Sequence, residues 1–180
     1  CATRSARTLP NFAGVLYLPA SHGAAPSRPY PVAYYIHGAF GSEVDWTASG
    51  HRNEVMDSLA ASGEPEMIVV MPDGDDGWYT TWNSLVTFDA CRRKAPPRER
   101  AETYCVPWEH YDDYIARDIV QFADKTFRTR ADRAHRAIAG LSMGGYGAMA
   151  LAFEYPGIWS AAASHSGVLA PLYAGPTPFD

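Results

Sequence analysis

Apolar residues fall along this chain in two rhythms. Continuous apolar runs of strand length stand at Pro31-Val32-Ala33-Tyr34-Tyr35-Ile36 and Met67-Ile68-Val69-Val70-Met71, the pattern of strands buried on both faces. Gly14-Val15-Leu16-Tyr17-Leu18 is β-rich and alternating, and Pro19 stops it. Residues 51–62 carry Val55, Met56, Leu59 and Ala60 at helical spacing, with Gly63 beyond. They predict an amphipathic helix with those four residues on its buried face. Residues 108–127 return to helical spacing through Tyr111, Ile115, Ile119, Phe122 and Ala123. Between these helices, from Gly74 to Tyr104, no periodicity persists, which predicts a long irregular excursion rich in Trp and Tyr. A short strand over residues 136–139, a small-residue helix through Gly145, Gly147, Ala148, Ala150 and Ala152, and a last strand over residues 158–167 complete the pattern.

Strand and helix in alternation predict an α/β domain with a mostly parallel central sheet flanked by helices. No repeat or linker divides the chain, so residues 1–180 form a single domain in this reading. The ending is unusual. After Arg136 there is no Lys or Arg, and the only acids are Glu154 and Asp180. So apolar a last strand would leave an uncovered sheet edge. The expectation is therefore that further strands follow Asp180 and that the sheet lacks its C-terminal strands here.

Composition is that of a globular protein, with 47% hydrophobic and 19% charged residues. A net charge of −5 argues against nucleic acid or an anionic membrane as the main partner. No apolar run approaches the ~18 residues a spanning helix needs, so no transmembrane segment is expected. Cys91 and Cys105 bracket a polar, Pro-rich, basic segment, and a bridge would close a 15-residue loop worth ~3 kcal/mol in the loop-entropy model. A disulfide there implies a secreted or cell-envelope protein; two free thiols are the alternative. Cys1, the first residue, would then pair elsewhere or carry the lipid of a bacterial lipoprotein.

The chemistry concentrates at Gly140-Leu141-Ser142-Met143-Gly144, a Gly-x-Ser-x-Gly pentapeptide between a predicted strand and a predicted helix. A strand turning sharply into a helix at a serine is the nucleophile elbow, which lifts Oγ above the sheet edge. A side chain at Gly140 or Gly144 would meet neighbouring backbone, and the helix N-terminus would favour developing negative charge. An oxyanion hole needs two converging backbone N–H groups. Met143 supplies one, and Ala39, in the Gly-rich segment His37-Gly38-Ala39-Phe40-Gly41 after a buried strand, is the candidate for the second.

A serine also needs a base, and an acid to orient it. After Ser142 the sequence offers only Glu154, His165 and Asp180. Glu154 falls three turns down the helix, and His165 stands in the wrong order, so the acid and histidine are expected beyond residue 180. His37, just before the glycine turn, is expected to hold that loop rather than act as base. Asp73-Gly74-Asp75-Asp76-Gly77 has misplaced acids for a calcium loop and is expected to be a turn. No metal or cofactor is implied. Trp78, Tyr79, Trp82 and Phe88 follow a strand's carboxyl end, where α/β proteins bind ligands. Trp78, Tyr79 and Trp82 are candidates for a substrate wall; packing of the loop against the body is the alternative.

In order, YYIHGAFG, VVMPDGDDGWYTTW, WEHYDDYIARDIV, AGLSMGGYGAMALAFEYP and ASHSG resemble the esterase D / Putative esterase family. Its members include S-formylglutathione hydrolases, feruloyl and acetyl-xylan esterases, enterochelin esterases and antigen 85 mycolyltransferases. The resemblance implies the α/β-hydrolase fold, Ser142 as nucleophile, and Ala39 and Met143 as oxyanion donors. It also implies that Trp108-Glu109 opens a helix packed near the site. Members usually continue for about another hundred residues carrying the acid and a C-terminal histidine. The expected activity is a serine carboxylic-ester hydrolase using an acyl-enzyme on a small-molecule or carbohydrate-linked ester. The triad's remaining members would come from a further segment or chain. Alternatives are an acyltransferase of the mycolyltransferase type and a non-catalytic binding protein of the same fold.

Overall fold

In the computed structural model the described residues are 13–75, 77–79 and 110–167, with the backbone of Ala6–Thr8. Six strands form one sheet: β1 (Ala6–Thr8), β2 (Gly14–Tyr17), β3 (Val32–Ile36), β4 (Ile68–Pro72), β5 (Arg136–Leu141) and β6 (Ala161–His165), in the order β1-β2-β4-β3-β5-β6. Strands β4, β3, β5 and β6 run parallel, while β2 joins β4 antiparallel and β1 joins β2 antiparallel. The expected parallel sheet therefore stands, with an antiparallel margin. The short strand β1, which the apolar pattern does not mark, forms its outer edge.

Helices cover both faces. The longer ones are α3 (Arg52–Ala61), α4 (residues 111–126) and α5 (Met143–Glu154); α1 (Ser21–Ala24) and α2 (Asp45–Ala48) are single turns. Side chains alternate across the strands as the pleat requires. Leu16, Val32, Tyr34, Ile36, Ile68 and Val70 pack with Ile115, Ile119, Ala148 and Leu151 of α4 and α5. Val15, Tyr17, Val69 and Met71 pack with Met56 of α3 on the other face. At ~25 cal/mol per Å² of apolar surface, these layers supply the main driving force for folding.

Three local readings are corrected. In α3 the buried positions are Asn53 and Met56, whereas Val55 and Leu59 are 41% and 42% exposed. Polar anchors set the helix's rotation. The Arg52 guanidinium lies 4.3 Å from the Tyr35 ring centre and 5.3 Å from that of Trp46, and Tyr17 donates to Asp57 Oδ1 at 2.8 Å. The last strand begins at Ala161 rather than Ile158, because Trp159 turns inward to pack edge-on against Tyr34, with ring centres 5.2 Å apart. Helix α4 begins at Tyr111 and contains a wider π-helical turn, Tyr114–Ile119, flanked by α-helical Tyr111–Asp113 and Val120–Thr126. The expected start at Trp108 and Glu109 lies outside the described residues.

Two features fix the sheet's middle and margin. Where β5 starts, Arg136 is buried and donates to Asp124 Oδ2 of α4 at 2.7 Å. At the far margin, β6 is the outermost described strand, and Ala161, Ala162 and Ala163 are exposed.

Candidate active site

Parallel strands bring their carboxyl ends to one edge of the sheet, where open α/β sheets hold their ligands. At that edge β5 ends in Ser142, β3 in His37, β4 in the Asp73-Gly74 turn and β6 in His165. Hydrogen bonds tie these ends in two pairs. The Ser142 N–H donates to the His165 carbonyl at 2.9 Å, and the Gly74 N–H donates to His37 Nε2 at 3.0 Å.

Ser142 has φ 53° and ψ −115° and precedes the first residue of α5. A non-glycine residue in this region costs of order 1–3 kcal/mol, and such strain persists only where surrounding structure enforces it. Here the enforcement is visible. A Cβ on Gly140 would strike the Gly144 carbonyl, and one on Gly144 would strike the carbonyls of Ile36 and His37. The two glycines let β5, the start of α5 and the end of β3 meet backbone to backbone. Met143 is the first residue of α5, so its N–H has no acceptor within the helix.

The loop after β3 lies directly against the serine. A Cβ added to Gly38 would stand 3.3 Å from the Leu141 carbonyl and 3.4 Å from Ser142 Cβ. The Gly41 N–H closes the turn onto the Gly38 carbonyl at 3.1 Å. Ala39 is half-buried within that turn, packed against the main core cluster. Asp45 Oδ2 accepts from the Ser42 N–H at 3.2 Å and steadies the turn's far side.

His37 is buried and shares its ring among three partners. Nδ1–H donates to the Gly38 carbonyl at 2.8 Å, Nε2 accepts from Gly74 N–H, and Asp73 Oδ1 lies 3.1 Å from Nε2. Asp73 Oδ1 is in turn held by the Asp75 N–H at 2.8 Å. The ring thus joins the β3 loop to the β4 turn.

Trp78 and Tyr79 lie on that second turn, both at φ 56°. The Tyr79 ring is 0% exposed; its hydroxyl donates to the His37 carbonyl at 3.1 Å, and its ring packs on His37 with centres 5.9 Å apart. The ring fills space left by two glycines, since a Cβ on Gly74 or Gly147 would strike it. Tyr79 therefore presents no surface to solvent, whereas Trp78 is half-buried and packs edge-on against Tyr146 of α5, with centres 5.9 Å apart. Tyr114 on the π-helical turn has its phenol pushed up to about 12, first by burial and then by the charge of Asp73, so it stays protonated near neutrality. Trp82, Phe88, Cys91 and Cys105 lie outside the described residues.

Of the sequence-predicted residues, Ser142, Met143, Gly38-Ala39 and His37 come together at this edge. His165 reaches it through its carbonyl, with its side chain exposed. Glu154 does not; it is the last residue of α5, beside Asp112 and Asp113. For Tyr79 the structure matches the packing alternative, and the signal for it is the pair Gly74 and Gly147. Sequence reasoning missed the positive φ of Phe40. Among the described residues, no three His, Cys, Asp or Glu side chains converge to hold a metal ion, and no helix is long and apolar enough to cross a membrane.

Comparison with known proteins gives this geometry its relatives. The chain is 37% identical over 141 residues to Esterase Rv1288 of Mycobacterium tuberculosis, covering 78% of this chain and 26% of that protein. It is 31% identical over 134 residues to the endo-1,4-beta-xylanase/feruloyl esterase of Xylanibacter ruminicola, covering 72% of this chain and 16% of that protein. Among solved structures, a ferulic acid esterase superposes with a TM-score of 0.68 at 28% identity, covering 90% of this chain and 57% of that one. The chain thus spans about a quarter or less of these curated relatives. The family profile described as Putative esterase matches residues 5–177, and the chain belongs to that family, with the α/β-hydrolase fold.

Proposed function

We propose that the protein is a serine carboxylic-ester hydrolase working through an acyl-enzyme on Ser142. The observation that carries this reading is the strained backbone of Ser142, packed against Gly38 and followed at once by the N-terminus of α5. Ser142 Oγ gives its proton to a base and attacks the ester carbonyl. Met143 and Ala39 N–H groups hold the resulting oxyanion, worth about 10²–10³ in rate per donor. The tetrahedral intermediate expels the alcohol, which takes back the proton, and water then deacylates the serine by the same route. Trp78 forms part of the wall against which the ester's organic group lies, and Tyr79 acts behind it by holding the His37 loop.

The base is neither His37, whose two ring nitrogens are engaged, nor His165. We assign the histidine and its acid to a segment that the longer relatives carry and this sequence does not; coverage of only 57% of the ferulic acid esterase supports that assignment. The spacing of Cys91 and Cys105 supports an exported protein with a disulfide across residues 91–105.

Burst kinetics test the reading. In the intact protein, p-nitrophenyl acetate should release a stoichiometric burst of nitrophenol, absent in Ser142→Ala. Steady turnover that survives Ser142→Ala would refute it.

A further inference from the structure

The Gly38 carbonyl accepts two hydrogen bonds, from His37 Nδ1 at 2.8 Å and from the Gly41 N–H at 3.1 Å. A carbonyl only accepts, so in the first contact the hydrogen sits on Nδ1. That carbonyl and the Ala39 N–H belong to one planar trans peptide unit and therefore point in opposite directions. Whatever fixes the carbonyl fixes the amide. The turn closes through Gly41, which leaves the Ala39 N–H directed out of the turn, away from the His37 ring.

The Gly41 bond ties the carbonyl only to its own loop. The His37 ring ties it to another strand, because Nε2 accepts from the Gly74 N–H at 3.0 Å in the turn after β4, with Asp73 Oδ1 3.1 Å away. The ring has little room to rotate: it is buried and packs on the Tyr79 ring, with centres 5.9 Å apart. Two donors on one carbonyl also polarise its peptide, which strengthens the N–H on the other side. The same loop meets the serine, since the place of a Cβ on Gly38 is 3.4 Å from Ser142 Cβ.

We infer that His37 is a positioning residue for the oxyanion hole: through Nδ1 and the Gly38 carbonyl it sets the direction of the Ala39 N–H. The inference rests on the serine-esterase reading above, in which that N–H holds the oxyanion. It gives the two ends of the ring different tasks. The Nε2 end holds the β3 loop to the β4 turn, and the Nδ1 end governs the rate. An N–H swung off line loses its bond to the oxyanion, on which the ground-state ester depends less, so the loss falls on kcat rather than KM.

The test replaces each end of the ring in the intact protein. His37→Asn puts an amide N–H where Nδ1 stood, and His37→Gln puts an amide oxygen where Nε2 stood. Both delete the ring, and a mere brace would favour His37→Gln, which keeps the bond between strands. With p-nitrophenyl acetate, His37→Gln should lower kcat about tenfold at unchanged KM, whereas His37→Asn should restore kcat to within about threefold of the parent. Inhibition by trifluoroacetophenone, whose serine adduct carries an oxyanion, should weaken about tenfold in His37→Gln and hold in His37→Asn. Equal losses in the two variants, or the greater loss in His37→Asn, would overturn the inference while leaving the esterase reading intact. The parent protein gives a check that needs no variant. Ring-nitrogen NMR shifts should show hydrogen on His37 Nδ1, and a tautomer with hydrogen on Nε2 alone would contradict the inference. Turnover persisting in Ser142→Ala would overturn both readings.

Discussion

The Ser142 N–H donates to the carbonyl of His165 at 2.9 Å. This bond extends the β5–β6 ladder, in which Leu141 stands opposite His165, one residue past the end of the strand and into the elbow. The serine is therefore clamped from two sides. Strand β6 holds its amide, and the end of β3 lies against Gly144, two residues further on.

The tight side of that clamp should not tolerate a methyl group. Gly144→Ala would drive a Cβ into the Ile36 and His37 carbonyls, and relief requires the elbow to move away from β3. Overpacking of this kind costs about 1–3 kcal/mol. Urea denaturation should show that loss with an unchanged slope, and ester hydrolysis should fall by more than the loss of folded protein explains.

His37 should prove a brace. In His37→Ala the Gly74 N–H loses its acceptor and a buried ring is deleted, so stability should drop by about 2–4 kcal/mol. Activity of the folded fraction should fall by about tenfold as the Gly38 loop loosens. A fall to the level of Ser142→Ala would instead make His37 the base. Urea titration beside kcat measured well below the unfolding midpoint separates the two.

The chain's periodicity carried most of this fold and failed in identifiable places. Runs such as Val32–Ile36 declare themselves because a strand buried on both faces has no polar position to confuse the pattern. Helix α3 was misjudged because Arg52 and Asp57, polar by composition, are anchored through Tyr35, Trp46 and Tyr17. Those partners lie far off in sequence, and their contacts outweigh the exposure of Val55 and Leu59. Ser142 and its two glycines were legible because the elbow is a local backbone device. For Tyr79 the sequence left substrate wall and loop packing both open, because its burial depends on space beside Gly74 after β4 and Gly147 within α5, which no local pattern marks.

Glu154 gives a pH signature. The residue is exposed, yet partial loss of hydration, and then the charges of Asp112 and Asp113, raise its carboxyl above the ordinary 4.5. The folded state therefore holds this proton more tightly than the unfolded chain. The resulting stability is fully present below 4.5 and is lost as pH rises through the folded value. At neutral pH the ionised group is a cost. Glu154→Gln should raise the urea midpoint near neutrality, and the gain should vanish in acid below 4.5. A lower midpoint at neutral pH would contradict this assignment.

The central claim is that Ser142 is an activated nucleophile. The most direct measurement treats the intact protein with a fluorophosphonate and locates the adduct by peptide mass, beside Ser142→Ala. A single adduct on Ser142, absent from the variant, is the predicted result. A folded protein that stays unmodified, or an adduct that persists in Ser142→Ala, would contradict the account.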